Sequence, residues 1–117
     1  MVAVVEDDDS YRIALQRLLK TVNFAVQSFA SAEDFLGFGD PREFGCLIAD
    51  IRMPGMSGLD LQSKLNVDNC HIPIIFITAH GDEKMRLQAM RAGAVKFLSK
   101  PFEAEILIEA VRAALDC

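Results

Sequence analysis

Two hydrophobic periods alternate along the chain. Val2 to Val5 is an unbroken apolar run rich in β-branched residues, the pattern of a strand buried on both faces. From about Asp9 or Ser10 the period becomes helical, with Tyr11, Ala14, Leu15, Leu18, Leu19 and Val22 on one stripe. Phe24 to Phe29 predicts a second strand. Ser31, followed by Glu33 and Asp34, has the serine cap and first-turn acids of a helix start, and Phe35, Leu36 and Phe38 supply a short buried face. Gly39 to Gly45, with Pro41, is a loop. Cys46 to Ala49 is a third strand ending at Asp50, and Ile51 to Gly58, holding a proline and two glycines, is a second loop. Leu59 to about Asn66 is helical, entered past a serine. Pro73 precedes a fourth strand, Ile74 to Thr78. Glu83 to Ala92 predicts a helix with Gly93 at its C′ position, Val95 to Leu98 a fifth strand, and Glu103 to Leu115 a last helix with Leu107, Ala110, Val111 and Ala114 on one face.

Five strand–helix pairs in strict alternation imply an α/β fold, a doubly wound parallel sheet with helices on both faces. Right-handed crossovers and short connections favour a flavodoxin-like strand order of 2-1-3-4-5. Ligands of such sheets bind outside the carboxyl ends of the strands, near the point where strand order reverses. No internal repeat or low-complexity tract interrupts the pattern. The length of 117 residues fits one domain spanning the whole chain.

The formal net charge of −5 argues against this domain gripping a nucleic-acid backbone itself. No charged-then-apolar leader and no apolar run of membrane length is present, which predicts a cytoplasmic protein without membrane contact. Cys46, Cys70 and Cys117 are widely spaced and odd in number, so they read as reduced thiols rather than a zinc or redox motif.

Charge matters most where the strands end. The first strand runs into Glu6-Asp7-Asp8-Asp9, the third ends at Asp50, the fourth at Thr78, and the fifth leads through Ser99 to Lys100. In the expected order these groups share one rim. Carboxylates about 4 Å apart repel by roughly 4 kcal/mol at an effective dielectric of 20, so such a cluster calls for a cation or a retained proton. Oxygen ligands without a histidine or cysteine ligand point to Mg2+, with Mn2+ as the alternative. Lysine adds a point charge for an anion and threonine a hydroxyl donor, which together make a phosphoryl-binding set. Taken singly, each feature has an ordinary explanation: Asp8 and Asp9 suit a helix cap, and an aspartate before a Pro/Gly loop suits a turn. Their shared place at four strand ends favours the functional reading.

At these residues the chain resembles the receiver domain of two-component response regulators, over its whole length. The matching segments are Val4 to Asp8, Leu47 to Gly58 with its Asp-x-x-Met-Pro motif, Phe76 to Ala79, and Phe97 to Phe102 with Lys-Pro-Phe. The strings Thr78 to Asp82 and Ala89 to Phe97 are similar to the nitrogen-fixation-regulator subgroup. The resemblance implies that Asp50 is the phosphoacceptor, and that Glu6, Asp7, Asp50 and the backbone carbonyl of Arg52 hold the metal. It implies that Thr78, Ala79 and Lys100 bind the phosphoryl group, that Phe97 is the aromatic of the switch, and that the bond before Pro101 is cis. Arg52 and His80, each two residues beyond a site residue, would tune dephosphorylation. Glu6 stands where many relatives have Asp, a mild departure.

The chemistry so implied is transfer from a phosphohistidine of a sensor histidine kinase, or from a small acyl phosphate, onto Asp50. The domain is expected to catalyse only its own phosphorylation and dephosphorylation, not to act as an enzyme on other substrates. The switched surface would be the fourth helix, fifth strand and fifth helix, controlling a helix-turn-helix DNA-binding output domain that lies outside this chain. A phosphorylation-dependent homodimer is expected through the fourth helix and fifth strand, around Arg86, Met90, Arg91 and Lys96, because Met85, Leu87 and Met90 cannot all face the sheet. A phosphohydrolase that also uses an aspartyl phosphate would want an acid two residues past its nucleophile, where Arg52 stands. A flavin carrier would need a phosphate cradle where the first loop is acidic.

Overall fold

A computed structural model describes residues 1–79 and 81–116; the readings on His80 and Cys117 lie outside the described residues. The apolar runs form the strands β1 (Val2–Val5), β2 (Val26–Phe29), β3 (Cys46–Asp50), β4 (Ile74–Thr78) and β5 (Lys96–Ser99). Between and after them lie α1 (Asp9–Thr21), α2 (Ala32–Phe38), α3 (Gly58–Val67), α4 (Glu83–Arg91) and α5 (Ala104–Leu115), and a single 3₁₀ turn at Pro41–Glu43 crosses the expected loop. All strand pairs are parallel and the order is β2-β1-β3-β4-β5, as expected.

The period-two alternation sorts each strand onto two cores. Ala3, Val5, Leu47, Ala49 and Phe76 face α2, α3 and α4, meeting Phe35, Leu61, Leu65 and Ala89. Val2, Val4, Cys46, Ile48, Ile75, Ile77 and Leu98 face α1 and α5, meeting Leu15, Leu19, Leu107 and Val111. The three central strands are buried along their whole length, which is why they read as continuous apolar runs rather than alternating ones. No helix among the described residues is long and apolar enough to cross a membrane.

Helix starts follow the expected chemistry. Asp8, Ser31, Ser57 and Asp82 each accept a hydrogen bond from a backbone N–H of the first turn, and Ser57 with Asp60 closes a capping box. Two helix ends differ from the sequence reading. Asn23 takes a left-handed conformation (φ 69°), and the N–H groups of Asn23 and Phe24 return to the carbonyls of Lys20 and Leu19. Phe24 therefore belongs to the closure of α1, and β2 begins at Val26 instead of Phe24. Asn69 (φ 55°) closes α3 the same way, with Cys70 N–H on Leu65, and Gly93 (φ 108°) closes α4 as expected. The fifth strand is shifted one residue, pairing Lys96 with Ile75 through Ser99 with Thr78. Phe38 was expected in a buried face but is 54 % exposed; its ring flanks Phe29 and Phe44, at 5.2 and 6.1 Å between centroids. Ala14 is exposed as well, so the buried stripe of α1 narrows to Leu15 and Leu19.

Candidate functional site

Glu6 directly follows β1, Asp50 and Thr78 end β3 and β4, and Lys100 follows β5, so the sheet order delivers all four to one rim. Glu6 is fully buried, Thr78 likewise, and Asp50 nearly so; Asp7 and Ala79 are exposed. One carboxylate oxygen from each of Glu6, Asp7 and Asp50 lies within 4.8 Å of the others.

Lys100 bridges the two buried members of this cluster. Its Nζ donates to Glu6 Oε1 at 2.6 Å and to Asp50 Oδ2 at 3.0 Å. The other Asp50 oxygen accepts the Arg52 N–H at 3.1 Å, and Glu6 Oε2 accepts the Asp8 N–H at 3.2 Å. Arg12 donates to the Glu6 carbonyl at 2.9 Å and to Asp9 at 2.6 Å, tying the start of α1 to the end of β1. Burial pushes the Glu6 carboxyl up to about 7; the charge of Asp50 adds to the rise, and the hydrogen bonds from Lys100 and Asp8 oppose it. For Lys100, burial alone would lower the ammonium, but the bonds to Glu6 and Asp50 outweigh it and the net shift is upward. The donor set consists of carboxylate oxygens, two of them buried, with more negative charge than one lysine neutralises. All-oxygen donors of this kind suit a hard cation, and Glu6, Asp7 and Asp50 could hold a metal ion.

Around the cluster the chain approaches itself closely. A Cβ on Gly58 would lie 2.3 Å from the Asp50 carbonyl, so the loop after β3 can fold back only on a glycine. A Cβ on Gly81 would lie 2.5 Å from Thr78 Cγ2 and 2.9 Å from the Phe97 ring, which puts these three residues in one packed layer. Phe97 is half-buried on the α4 side of the sheet, and the Lys100–Pro101 peptide bond is cis. Arg52 is exposed, its guanidinium reaching 3.8 Å from Met85 Sδ on α4.

Similarity to known proteins decides the family. The response regulator receiver domain model matches residues 2–112. The chain belongs to the response regulator receiver domain family. Nodulation protein W of Bradyrhizobium diazoefficiens is 50% identical over 99% of this chain, and transcriptional regulatory protein FixJ of Azorhizobium caulinodans is 45% identical over 97%. The chain covers 51% and 54% of those two proteins, about half the length of the curated relatives it matches. Among solved structures, that of FixJ-N superposes with a TM-score of 0.88 at 44% identity, covering 98% of this chain and 92% of that one. The response regulator StyR superposes at 0.91 and 49% identity, over 98% of this chain and 58% of that one. Similarity to the nitrogen-fixation regulators therefore extends beyond the fold. Receiver domains are regulatory parts of two-component phosphorelays, phosphorylated by sensor kinases, rather than enzymes acting on external substrates.

Several contacts at this receiver's site and between the helices beside it were not legible from local sequence. Tyr11, expected on the buried stripe of α1, lays its ring against Lys100, with Nζ 4.1 Å from the centroid. Glu33 on α2 accepts the Met56 N–H at 3.2 Å and so latches the loop that follows Asp50. Gln62 and Asn66 on α3 donate to the Ala89 and Ala92 carbonyls at the end of α4, each at 2.9 Å. All of these join residues more than twenty positions apart, where spacing along the chain carries no signal.

Proposed function

We propose that this receiver takes a phosphoryl group on Asp50 from the phosphohistidine of a sensor kinase or from a small acyl phosphate. An Asp50 oxygen bonds to phosphorus as the donor's P–N or P–O bond breaks, and the leaving group departs with that electron pair. The observation that carries this reading is the Lys100 ammonium held between Glu6 and Asp50, contacts that span 94 and 50 positions of sequence. Arg52 N–H holds one Asp50 oxygen in place. Lys100, released from the other, pairs with a phosphoryl oxygen. The helices that start at this rim add the positive ends of their dipoles. Glu6, Asp7 and Asp50, with the Arg52 carbonyl, would hold Mg2+, which supplies charge neutralisation on the phosphoryl oxygens. The acyl phosphate is hydrolysed by the domain itself, with Arg52 and His80 setting the lifetime.

The switch runs through Thr78. Its hydroxyl and the Ala79 backbone turn toward the phosphoryl group, and Phe97 fills the space this leaves; Gly81 supplies the room between them. The output surface is α4, β5 and α5. On it Leu87 and Met90 are 40 % and 38 % exposed while Met85 packs against the core, and Arg86, Arg91 and Lys96 stand around them, an apolar patch with a polar rim suited to a phosphorylation-dependent homodimer. The relatives named transcriptional regulators are about twice as long, which supports a DNA-binding output in the complete cytoplasmic protein. This receiver itself makes no nucleic-acid contact.

Incubation with acetyl phosphate and Mg2+, followed by intact mass, tests the central step. A single phosphoryl addition is expected in the wild type and none in Asp50→Asn, which keeps the volume but is a poor nucleophile. Equal incorporation in both would remove Asp50 from the mechanism. Sedimentation with and without beryllofluoride tests the dimer, and a monomer in both forms at near-millimolar concentration would refute it.

A further inference from the structure

The Lys100 ammonium touches more than carboxylates. Its Nζ is 4.1 Å from the centroid of the Tyr11 ring, well inside the roughly 6 Å at which a cation is attracted to an aromatic face. Lys100 is 15 % exposed and Tyr11 is half-buried, so this contact is only partly screened by water. Tyr11 is held at its backbone and along its side chain. Asp8 Oδ1 accepts the Tyr11 N–H at 3.0 Å, fixing its backbone one turn after Glu6, and the side chain packs onto the α1/α5 core with Phe102, two residues past Lys100. Position 11 thereby ties the acidic loop after β1 to the lysine after β5.

Lysine is a flexible chain with a compact charge. With a phosphoryl group on Asp50 and a metal ion to neutralise Glu6, the ammonium would lose both acceptors that now fix it. A neutral aromatic face attracts it without competing for phosphate and without taking a proton.

We propose that Tyr11 is a positioning residue for phosphoryl transfer: its ring keeps the Lys100 ammonium at the site as that group passes from the carboxylates to the incoming phosphoryl oxygen. This rests on the reading that Lys100 neutralises the phosphoryl group. The hydroxyl has no part in it, so phenylalanine serves equally and leucine, similar in bulk but without a π face, does not.

The test is the rate of acetyl phosphate uptake at saturating Mg2+, followed by intact mass across donor concentrations, in Tyr11→Phe, Tyr11→Leu, Lys100→Met and the double variant Tyr11→Leu/Lys100→Met. Tyr11→Leu is expected to lower the maximal rate about 3- to 10-fold, the scale of one cation–π contact, with half-saturation and melting temperature little changed. Tyr11→Phe is expected to match the wild type, and Tyr11→Leu to cost nothing further once Lys100 is methionine. A wild-type rate in Tyr11→Leu while Lys100→Met is slow overturns the role of Tyr11 and leaves the phosphoryl site standing. So does a Phe variant as slow as the Leu variant, or a Tyr11→Leu loss that persists without Lys100. If Lys100→Met is as fast as the wild type, both readings fall.

Discussion

At the carboxyl ends of the strands Glu6, Asp50 and Thr78 are buried polar groups, whereas at the amino ends of the same strands Val2, Cys46 and Ile74 are buried and apolar. The helices repeat the contrast. The starts of α1 to α4, at the carboxyl rim, are capped by the side chains of Asp8, Ser31, Ser57 and Asp82. Three of their ends, at the opposite rim, are closed by backbone bonds around Asn23, Asn69 and Gly93. The N–H groups of these closures are satisfied by the preceding turn, and only the α4 end also takes amides from elsewhere, those of Gln62 and Asn66 on α3. At the carboxyl end, Glu6 and Asp50 are held by a lysine from the far side of the sequence. Changes at the amino end should therefore leave the proposed chemistry alone, and changes at the carboxyl end should not.

Removing Lys100 should give the largest effect. Lys100→Met leaves two buried carboxylates without their cation, and a loss of about 2–4 kcal/mol in urea melts at pH 8 is expected. The loss should shrink toward pH 5 as Glu6 takes a proton. A small, pH-independent loss would mean that something other than Lys100 compensates the cluster.

The wild type should carry its own pH signature. Between the ordinary glutamate value of 4.5 and the folded value of about 7, the folded protein keeps a proton on Glu6 that the unfolded chain has released. Raising the pH through this window therefore favours unfolding, by up to about 3 kcal/mol, after which the curve flattens. Melts in EDTA from pH 5 to 8 should show the fall, and millimolar Mg2+ should reverse it at the upper end. Stability that rises with pH in EDTA would contradict the burial of Glu6.

Asp7 is the exposed member of the cluster, and its effect should be smaller. Asp7→Asn relieves repulsion, so the melting temperature of the metal-stripped protein should rise by a few degrees while the Mg2+ needed for half-maximal phosphorylation increases. A fall in that melting temperature would count against a shared acidic pocket. The smallest effect belongs to the other rim. Asn69→Ala places a Cβ-bearing residue without a side-chain amide in a left-handed conformation and should cost about 1 kcal/mol. Asn69→Gly should recover it, and neither change should alter phosphoryl uptake. An altered uptake would break the separation of the two rims.

This contrast also explains what the sequence made legible. Continuous apolar runs mark strands covered on both faces, so β1, β3 and β4 and the strand order followed from pattern and connectivity. The site residues could be named because topology, not local spacing, carries strand ends to one rim. Phe24 was misread as the start of a strand because an asparagine, Asn23, closes the helix before it where glycine is the usual signal. Tyr11 packs on the α1 stripe as expected, but its contact with Lys100 gave no signal, because a helical stripe says which face is apolar and not which residue at its edge meets a charge. Gln62 and Asn66 gave no signal, since exposed and buried amides look alike in a helical period.

The most direct measurement locates the phosphoryl group on the chain. Protein treated with acetyl phosphate and Mg2+ would be reduced with borohydride, which converts an aspartyl phosphate to homoserine, and mapped by peptide mass spectrometry. Homoserine at position 50 alone is the predicted result. Homoserine at Asp7, Asp8 or another aspartate, with position 50 unchanged, would contradict the assignment of the site.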